Sequence, residues 1–380
     1  MIDFSDEEQL MLEAVSEFST TEIKPIAQDI DRLNNFPHDL WQKMGGVGLL
    51  GINAPVAYGG SEMGYFAHCL VMQELSAASA AVGLSYAAHS NLCLNQISRY
   101  GTEEQKKAFL PDLITGKKIG SLAISEPNHG SDAVGMQLTA VEKSDCYALN
   151  GTKMWITNGP DADVMVVYAK TNKDLKAQGI TAFIVTSEMS GIKKMSKIDK
   201  LGMRGSNTCE ILFDNVLVPK KNILGFVNKG IEVLMTGLDY ERVILAAGPV
   251  GIMQSALDKV IAYSKTRTQF GSPIGDFQLI QAKIADIYTS YVSSMAYLHM
   301  VAKNLDRNVV SRKDAASVIL MAAENATKVA LEAIQIFGAN GYSNEYDVAI
   351  LLRDAKLYEI GAGTSEIRRI IIGKDLLAGK

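Results

Sequence analysis

Apolar residues recur at helical spacing through most of the first 119 residues. In FSDEEQLMLEAVSEFSTTEIKPIAQDIDR the apolar positions fall three and four apart, which predicts an amphipathic helix. Ser5, followed three residues later by Glu8, has the form of a capping box, and Pro25 is expected to end or bend the helix. HCLVMQELSAASAAVGLSYAAHSNLCLNQISRYG is Ala-rich and apolar enough for buried helices; Gly101 closes it, and Thr102 with Glu103 and Glu104 opens the next. The pattern changes near residue 120. To about residue 225, the short β-rich runs MQLTAVE, CYALN, KMWIT, DVMVVYAK, GITAFIV and CEILFDNVLV are separated by turn residues. Asn150-Gly151 and Asn158-Gly159 read as turns, because both residue types tolerate positive φ. Helical patterning then returns and persists, with Gly248-Pro249 inside the first long helix and expected to kink it. The order predicts an α+β chain. Residues 1–119 form an N-terminal helical domain, 120–225 a small antiparallel β-barrel (or sandwich) domain, and 226–380 a C-terminal helical bundle.

Composition narrows the function. At 380 residues with 47% hydrophobic content, the chain has room for two or three domains with buried cores. A net charge of −5 argues against a nucleic-acid partner, which favours a concentrated basic surface. Cys69, Cys93, Cys146 and Cys209 are widely spaced, form no CxxC pair and fit a reducing compartment. The five histidines show no metal-ligand spacing, and no metal site is expected. The acidic N-terminal stretch reads as neither a signal peptide nor a transit peptide, and no run has the uninterrupted apolar length of a membrane span. The expected location is the cytoplasm of a bacterium, or the mitochondrial matrix for a processed eukaryotic chain.

Two motifs are weighed from spacing alone. GVGLLG places Gly46, Gly48 and Gly51 in a G-x-G-x-x-G pattern, but HDLWQKM before it reads as helix and Pro55 follows closely. A dinucleotide fingerprint needs a strand before it, so this is read as a loop between helices. Leu234, Leu238, Glu241 and Leu245 step by four, three and four, which sets a carboxylate within an apolar helix stripe. Burial there raises the pKa of Glu241 and makes it a functional candidate; a structural ion pair is the competing reading.

Five further segments carry a resemblance. LAISEPNHGSD, KMWITNG, the pair TRTQFGSPIGDFQ and IQIFGANGY, and YEIGAGTSE near the C-terminus together resemble the flavin-dependent acyl-CoA dehydrogenase family over almost the whole chain. Taken alone, these segments read as an ordinary polar loop, a core Trp strand, a solvated Arg with a helix C-cap, and a small-residue connection. Most of the family has a catalytic Glu directly before the Gly-Thr of the last motif, where this chain has Ala362 followed by Gly363 and Thr364. With Glu241 present, the chain resembles the branch of the family in which a distant helix supplies the base.

The resemblance implies non-covalent FAD. The polar edge of its ring lies along Leu122, Ala123, Ile124, Ser125, Glu126, Gly130 and Ser131. Trp155, Ile156 and Thr157 flank it, and strand alternation points Trp155 and Thr157 to one face. Thr364, Ser365 and Glu366 contact the flavin side. Arg267, Phe270, Gln278, Gln335, Ile336, Gly338 and Ala339 hold the pyrophosphate and adenosine, partly across a subunit interface, in a homotetramer. A guanidinium fork suits a pyrophosphate, and Gly residues suit close backbone approach.

Ser131, Asp239, Tyr240, Glu241 and Arg242 are implied on the acyl-CoA side, with the Ala362 N–H and a ribityl hydroxyl of FAD donating to the thioester carbonyl. Gly361 and Gly363 complete the turn, and Gly361 replaces a bulkier residue, leaving volume for a branched acyl chain between Leu84 and Leu245. The implied reaction is α,β-dehydrogenation of isovaleryl-CoA to 3-methylcrotonyl-CoA in leucine degradation, with an electron-transfer flavoprotein as partner. Glu232 departs from the aromatic residue of comparable relatives, a difference along the pantetheine arm. The rival readings are a dehydrogenase or oxidase for another short acyl-CoA, and a flavin- or CoA-binding scaffold without turnover.

Overall fold

The computed structural model describes residues 4–378. Helix α1 (Asp6–Phe18) starts on the expected capping box: Ser5 Oγ accepts from the Glu8 N–H at 3.2 Å, and the Glu8 carboxylate accepts from the Ser5 N–H at 2.8 Å. The helix then loosens to a π turn at Ser19–Ile23 and tightens to a 3₁₀ turn at Lys24–Ile26 around Pro25, before α2 (Ala27–Leu33). After α3 (Asp39–Gly46) the GVGLLG segment turns at Gly48, with φ of 79°, into a single 3₁₀ turn. Helix α3, not a strand, leads directly into it, as expected for a loop between helices. The Ala-rich stretch forms α4 (Gly64–Ala78), α5 (Ala80–Ala87), a π segment over Ala88–Leu94 and α6 (Asn95–Tyr100), which Gly101 caps. Thr102 caps α7 (Glu103–Ile114) with a second capping box.

The middle segment is one sheet of β1 (Gly120–Ala123), β2 (Thr139–Glu142), β3 (Cys146–Thr157), β4 (Val164–Lys170), β5 (Ile180–Thr186), β6 (Ile192–Lys194), β7 (Thr208–Pro219) and β8 (Ile223–Leu224). Its order is β6-β7-β3-β2-β4-β5-β8, with β1 also on β4. This corrects the expected antiparallel barrel in two ways. The sheet is open, because β6 pairs only with β7 and β8 only with β5. It is also mixed, since β1 runs parallel to β4 and β2 meets β4 in a parallel pair. Alternation along a strand reports which face is buried, not the direction of the neighbour, so pattern alone could not reveal this. Asn150-Gly151 is corrected as well. CYALN and KMWIT are a single strand, and the pair sits at a register shift against β7, a bulge rather than a turn.

The second helical portion comprises α8 (Gly230–Thr266), a short hairpin of β9 (Thr268–Gln269) and β10 (Ser272–Pro273), α9 (Gln278–Asp306), α10 (Arg312–Phe337), α11 (Val348–Tyr358) and α12 (Ser365–Leu377). Helix α8 runs through Pro249 without interruption. It is long and apolar enough to cross a membrane, contrary to the sequence reading, but 78% of its most apolar stretch is buried inside the protein. It is the central core helix. Apolar side chains of α1, α3, α4 and α5 share one continuous core with those of α8 to α11. A second cluster joins α6, α7 and the sheet to Val233 and Leu234 at the start of α8. Glu241 lies on α8 between these two clusters.

Candidate active site

The predicted stripe on α8 is present. Leu234 and Leu245 are buried, and Glu241 between them is only 7% exposed. Among the described residues its carboxylate makes no hydrogen bond and no ion pair, so it is not the structural ion pair that spacing left open. Burial pushes its pKa from 4.5 up to about 7, while the charges of Arg242 and then Arg368 pull it down. The next charges along the helix are satisfied differently. Arg242 Nη1 donates to Asp239 Oδ1 at 2.8 Å, both side chains are buried, and Arg312 Nε lies 3.7 Å from the other Asp239 oxygen. Tyr240 is buried, its ring 4.5 Å from that of Tyr65 and tilted to it by 50°, with the Arg99 guanidinium 4.0 Å over its ring. Glu232 is exposed and pairs with Lys229 at 2.7 Å, one turn from the start of the helix.

The Gly361–Ala362–Gly363 turn joins α11 to α12. Ala362 has φ of 56° and Gly363 φ of 90°, left-handed backbone that is uncommon for a residue with a Cβ. The Gly361 N–H is held by Leu357 O at 2.8 Å and the Ser365 N–H by Glu359 O at 2.9 Å, while the Ala362 N–H has no partner among the described residues. Thr364 caps α12, its hydroxyl accepting from the Ile367 N–H at 3.3 Å; Ser365 is buried and Glu366 exposed. A Cβ built on Gly361 would meet nothing closer than Leu357 O at 3.6 Å, so the position is open to a larger side chain. Leu84 packs at the margin of the helical core, and its neighbour Ser85 is fixed to the sheet, its carbonyl accepting from Asn158 Nδ2 at 2.9 Å.

On the sheet, the alternation argument holds only in part. The register shift between Lys153 and Ile156 puts Trp155 at φ of 63°. Lys153 is fully buried while Trp155, two residues on, is 57% exposed, so the period breaks there. Beyond the bulge Ile156 is buried and Thr157 is half-buried. A Trp ring left outside the core is the opposite of the packing role such a strand Trp usually has. The Ser125 carbonyl accepts from the Met154 N–H at 2.8 Å, tying the LAISEP segment to this bulge. Leu122 and Ala123 are buried on β1, Ile124 and Ser125 are half-buried, and Gly130 and Ser131 are exposed. Glu126 turns inward. It accepts from the Gln137 and Leu138 N–H groups at 2.6 and 2.9 Å and from Lys153 Nζ at 3.0 Å. Its backbone N–H and C=O pair with His129, both at 3.1 Å.

The remaining predicted residues gather at the far end of α8. Arg267, Phe270, Gln278, Gln335, Gly338 and Ala339 are exposed, Phe270 by 96%, whereas the Ile336 side chain is in the core. Tyr263 stacks on Phe337 at 4.0 Å and joins the end of α8 to the end of α10. Gly338 has φ of 61°, and a Cβ there would meet nothing within 4 Å. No hydrogen bond or ring contact among the described residues links this set to Trp155 or the Ala362 turn. Sequence reasoning missed Lys153, Asn158 and Arg368. No sequence signal marks Arg368, which shares the buried face of α12 with Ser365, one turn before it. No group of His, Cys, Asp and Glu suited to a metal ion occurs among the described residues.

The described residues thus hold a buried carboxylate without a partner, a turn with left-handed backbone and a free N–H, and an exposed Trp at a bulge tied to a polar loop. The chain belongs to the acyl-CoA dehydrogenase family: its N-terminal domain matches residues 5–117, its middle domain 121–216 and its C-terminal domain 228–377. Within that family it is 56% identical to the mitochondrial isovaleryl-CoA dehydrogenase of Solanum tuberosum over 98% of this chain and 91% of the relative. It is 54% identical to the 2-methylacyl-CoA dehydrogenase of the same plant over 98% of this chain and 90% of that one. Among solved structures it is similar to butyryl-CoA dehydrogenase from Megasphaera elsdenii, with a TM-score of 0.97, 36% identity and coverage of 99% and 100%. A chain in the structure of the electron transferring flavoprotein of Acidaminococcus fermentans has a TM-score of 0.97 and 34% identity, covering 99% of both. The FAD complex of PigA has a TM-score of 0.95 and 29% identity over the full length of both.

Proposed function

We propose that this protein is an FAD-dependent dehydrogenase of a short branched acyl-CoA, with an electron-transferring flavoprotein as electron partner. The observation that carries the reading is Glu241, a buried carboxylate with no protein partner and a pKa of about 7. Such a group is poised to accept a proton near neutral pH. Glu241 removes the α-proton of the acyl chain, and the Ala362 N–H donates to the thioester oxygen, where negative charge gathers as that proton leaves. Loss of a side-chain carboxylate at Ala362 does not impair this backbone role. Asp239 and Arg242 neutralise one another, which leaves Glu241 as the uncompensated acid on this stretch of α8.

The residues fit FAD. The exposed Trp155 ring stands at the bulge, Thr157 ends β3 beyond it, and the Ile124 and Ser125 carbonyls are tied to the same stretch through Lys153 Nζ and the Met154 N–H. When bound, FAD supplies the hydride acceptor for the β-hydrogen. Arg267, Gln278 and the open backbone at Gly338 suit a pyrophosphate, and they lie apart from Trp155. We assign them to the cofactor of a neighbouring copy in a homotetramer, supported by the exposed Phe270, Leu279 and Tyr342 on the same end. Arg267→Ala is expected to lower the FAD bound per chain, read from flavin absorbance after gel filtration, and to weaken the assembly little. Unchanged flavin content would remove Arg267 from the site.

The substrate we favour is isovaleryl-CoA, giving 3-methylcrotonyl-CoA. A 2-methyl-branched acyl-CoA is the second reading, favoured by the nearly equal identity to 2-methylacyl-CoA dehydrogenase. Anaerobic titration with isovaleryl-, 2-methylbutyryl- and butyryl-CoA, following flavin bleaching, separates the two. A flavin that none of them bleaches would leave only the scaffold reading, and oxygen uptake during turnover would identify an oxidase. Gly361→Tyr is expected to cut kcat/KM for isovaleryl-CoA more than for butyryl-CoA, because the ring occupies the open space beside Leu357. One branch methyl in an apolar pocket is worth roughly 1–3 kcal/mol, or ~10–200-fold. Equal losses on both substrates would show that Gly361 does not shape branch selectivity.

A further inference from the structure

Arg368 is fully buried on the first turn of α12. Its Nη2 donates to the Gly361 carbonyl at 2.6 Å, while Nε and Nη1 have no hydrogen-bond partner among the described residues. Burial lowers its pKa to about 10, as does Arg242, and Glu241, Glu324 and Glu359 oppose them. A buried guanidinium with a single acceptor is costly, and a merely structural role gives no return for that cost. Its one acceptor is informative. The Gly361 carbonyl and the Ala362 N–H belong to the same peptide group, and all peptide bonds here are trans. In a trans peptide the C=O and N–H point in opposite directions. Holding the carbonyl therefore sets where the N–H aims. A cation on the carbonyl oxygen also polarises the peptide and makes its N–H a stronger donor.

We propose that Arg368 is a positioning residue that aims and polarises the Gly361–Ala362 peptide, so that the Ala362 N–H meets the thioester oxygen of the substrate. Three features of the turn agree. Its flanks are fastened at the Gly361 and Ser365 N–H groups. Among the described residues the Ala362 N–H has no acceptor. The left-handed φ of Ala362 needs surrounding contacts to hold it. Arg368 also feels Glu241 electrostatically, so it ties the two ends of the proposed chemistry together. The inference rests on the dehydrogenase reading above.

The test uses the FAD-loaded protein with 3-methylcrotonyl-CoA carrying ¹³C at the thioester carbon, and isotope-edited infrared spectroscopy of the bound carbonyl. In the wild type the carbonyl band moves to lower frequency on binding. In Arg368→Gln it returns part of the way toward its solution position. The rate of flavin reduction falls on the order of 10–100-fold, less than the loss expected for removing a whole oxyanion donor. This rate is read on the alkaline plateau, where Glu241 is ionised, so a changed Glu241 titration does not account for it. KM and FAD content stay close to wild type. Arg368→Lys keeps the charge without the planar fork and gives intermediate values; it carries the test if the Gln variant does not fold. A wild-type band that does not move on binding overturns the reading of Ala362 itself. A wild-type band that moves, and moves equally in a folded Arg368 variant with an unchanged rate, overturns the role of Arg368 alone.

Discussion

Glu241→Gln is expected to keep its FAD and bind acyl-CoA yet reduce the flavin slowly, if at all, in anaerobic stopped flow. Removing a general base costs on the order of 10²–10⁴ in rate. The loss is expected toward the upper end, because the other carboxylates near the turn among the described residues are engaged or exposed: Asp239 pairs with Arg242, Glu359 with Lys356 and Thr327, and Glu366 is exposed on α12. The pH dependence follows from the raised pKa of Glu241. The group must be ionised to take a proton, so wild-type kcat/KM falls about tenfold per pH unit below a pKa of about 7 and is level above it. Moving the base tests the geometry from the other side. Glu241→Thr combined with Ala362→Glu is expected to recover part of the rate, limited because a displacement of about 1 Å can cost roughly 10²-fold. Near wild-type reduction by Glu241→Gln would end the assignment of the base.

The same variant carries a stability signature of opposite sign. The folded pKa of Glu241, about 7, lies above its ordinary value of 4.5. Between those values the folded state holds a proton that the unfolded chain has released, so stability falls as pH rises and levels off above about 7. At 1.36 kcal/mol per unit the penalty at pH 8 is ~3 kcal/mol, a net figure in which the attraction of Arg242 and Arg368 to the carboxylate is already included. Glu241→Gln is therefore expected to melt higher than wild type at pH 8 and equally at pH 4. An equal melting temperature at both pH values would mean that the carboxyl is hydrated and not desolvated by the core. A base held at a cost to stability is the kind of trade found where function and not folding selects the residue.

Glu241 could be read from the sequence because helical spacing is strict: a carboxylate four and three residues from leucines has to share their face. The helical, β, helical order was legible for the same reason, since the period of the apolar pattern changes at both boundaries. The sheet was not. Val164 to Lys170 reads as a buried strand, but nothing in its alternation says that β1 and β2 run parallel to it. Trp155 shows the second limit. A bulge shifts the phase of β3 by one residue, so Lys153 is inside and Trp155 outside, and the two-residue period cannot report it. Arg368 shows the third. Next to exposed Arg369 it looks like a solvated pair, and only the packing of α12 reveals that one is enclosed and holds a carbonyl.

Lys153→Met is expected to destabilise the fold by roughly 3–5 kcal/mol, the usual cost of leaving one partner of a buried ion pair without the other. Lys153 is fully buried beneath the Trp155 bulge; its Nζ donates to Glu126 Oε1 at 3.0 Å and to the Ile124 carbonyl at 2.7 Å. Burial lowers its pKa to about 8, which still leaves it charged at neutral pH. Burial opposes ionisation of Glu126 too, but Lys153 and the Gln137 and Leu138 N–H groups outweigh it and hold the carboxyl below its ordinary range. The pair thus clamps the LAISEP segment to β3 between two surfaces that we assign to the flavin. Losing the lysine leaves the Glu126 charge without its counter-ion, held only by two backbone N–H groups, and the Ile124 carbonyl without that donor. The double variant Lys153→Met with Glu126→Gln removes the unpaired charge and keeps an acceptor for one N–H, so most of the stability should return. Thermal unfolding by circular dichroism reads this cycle, and bound FAD follows it: low in the single variant, restored in the double. A double variant less stable than the single one would mean that Glu126 needs its charge for the backbone turn rather than for Lys153. A single variant within about 1 kcal/mol of wild type would show that water reaches the pair.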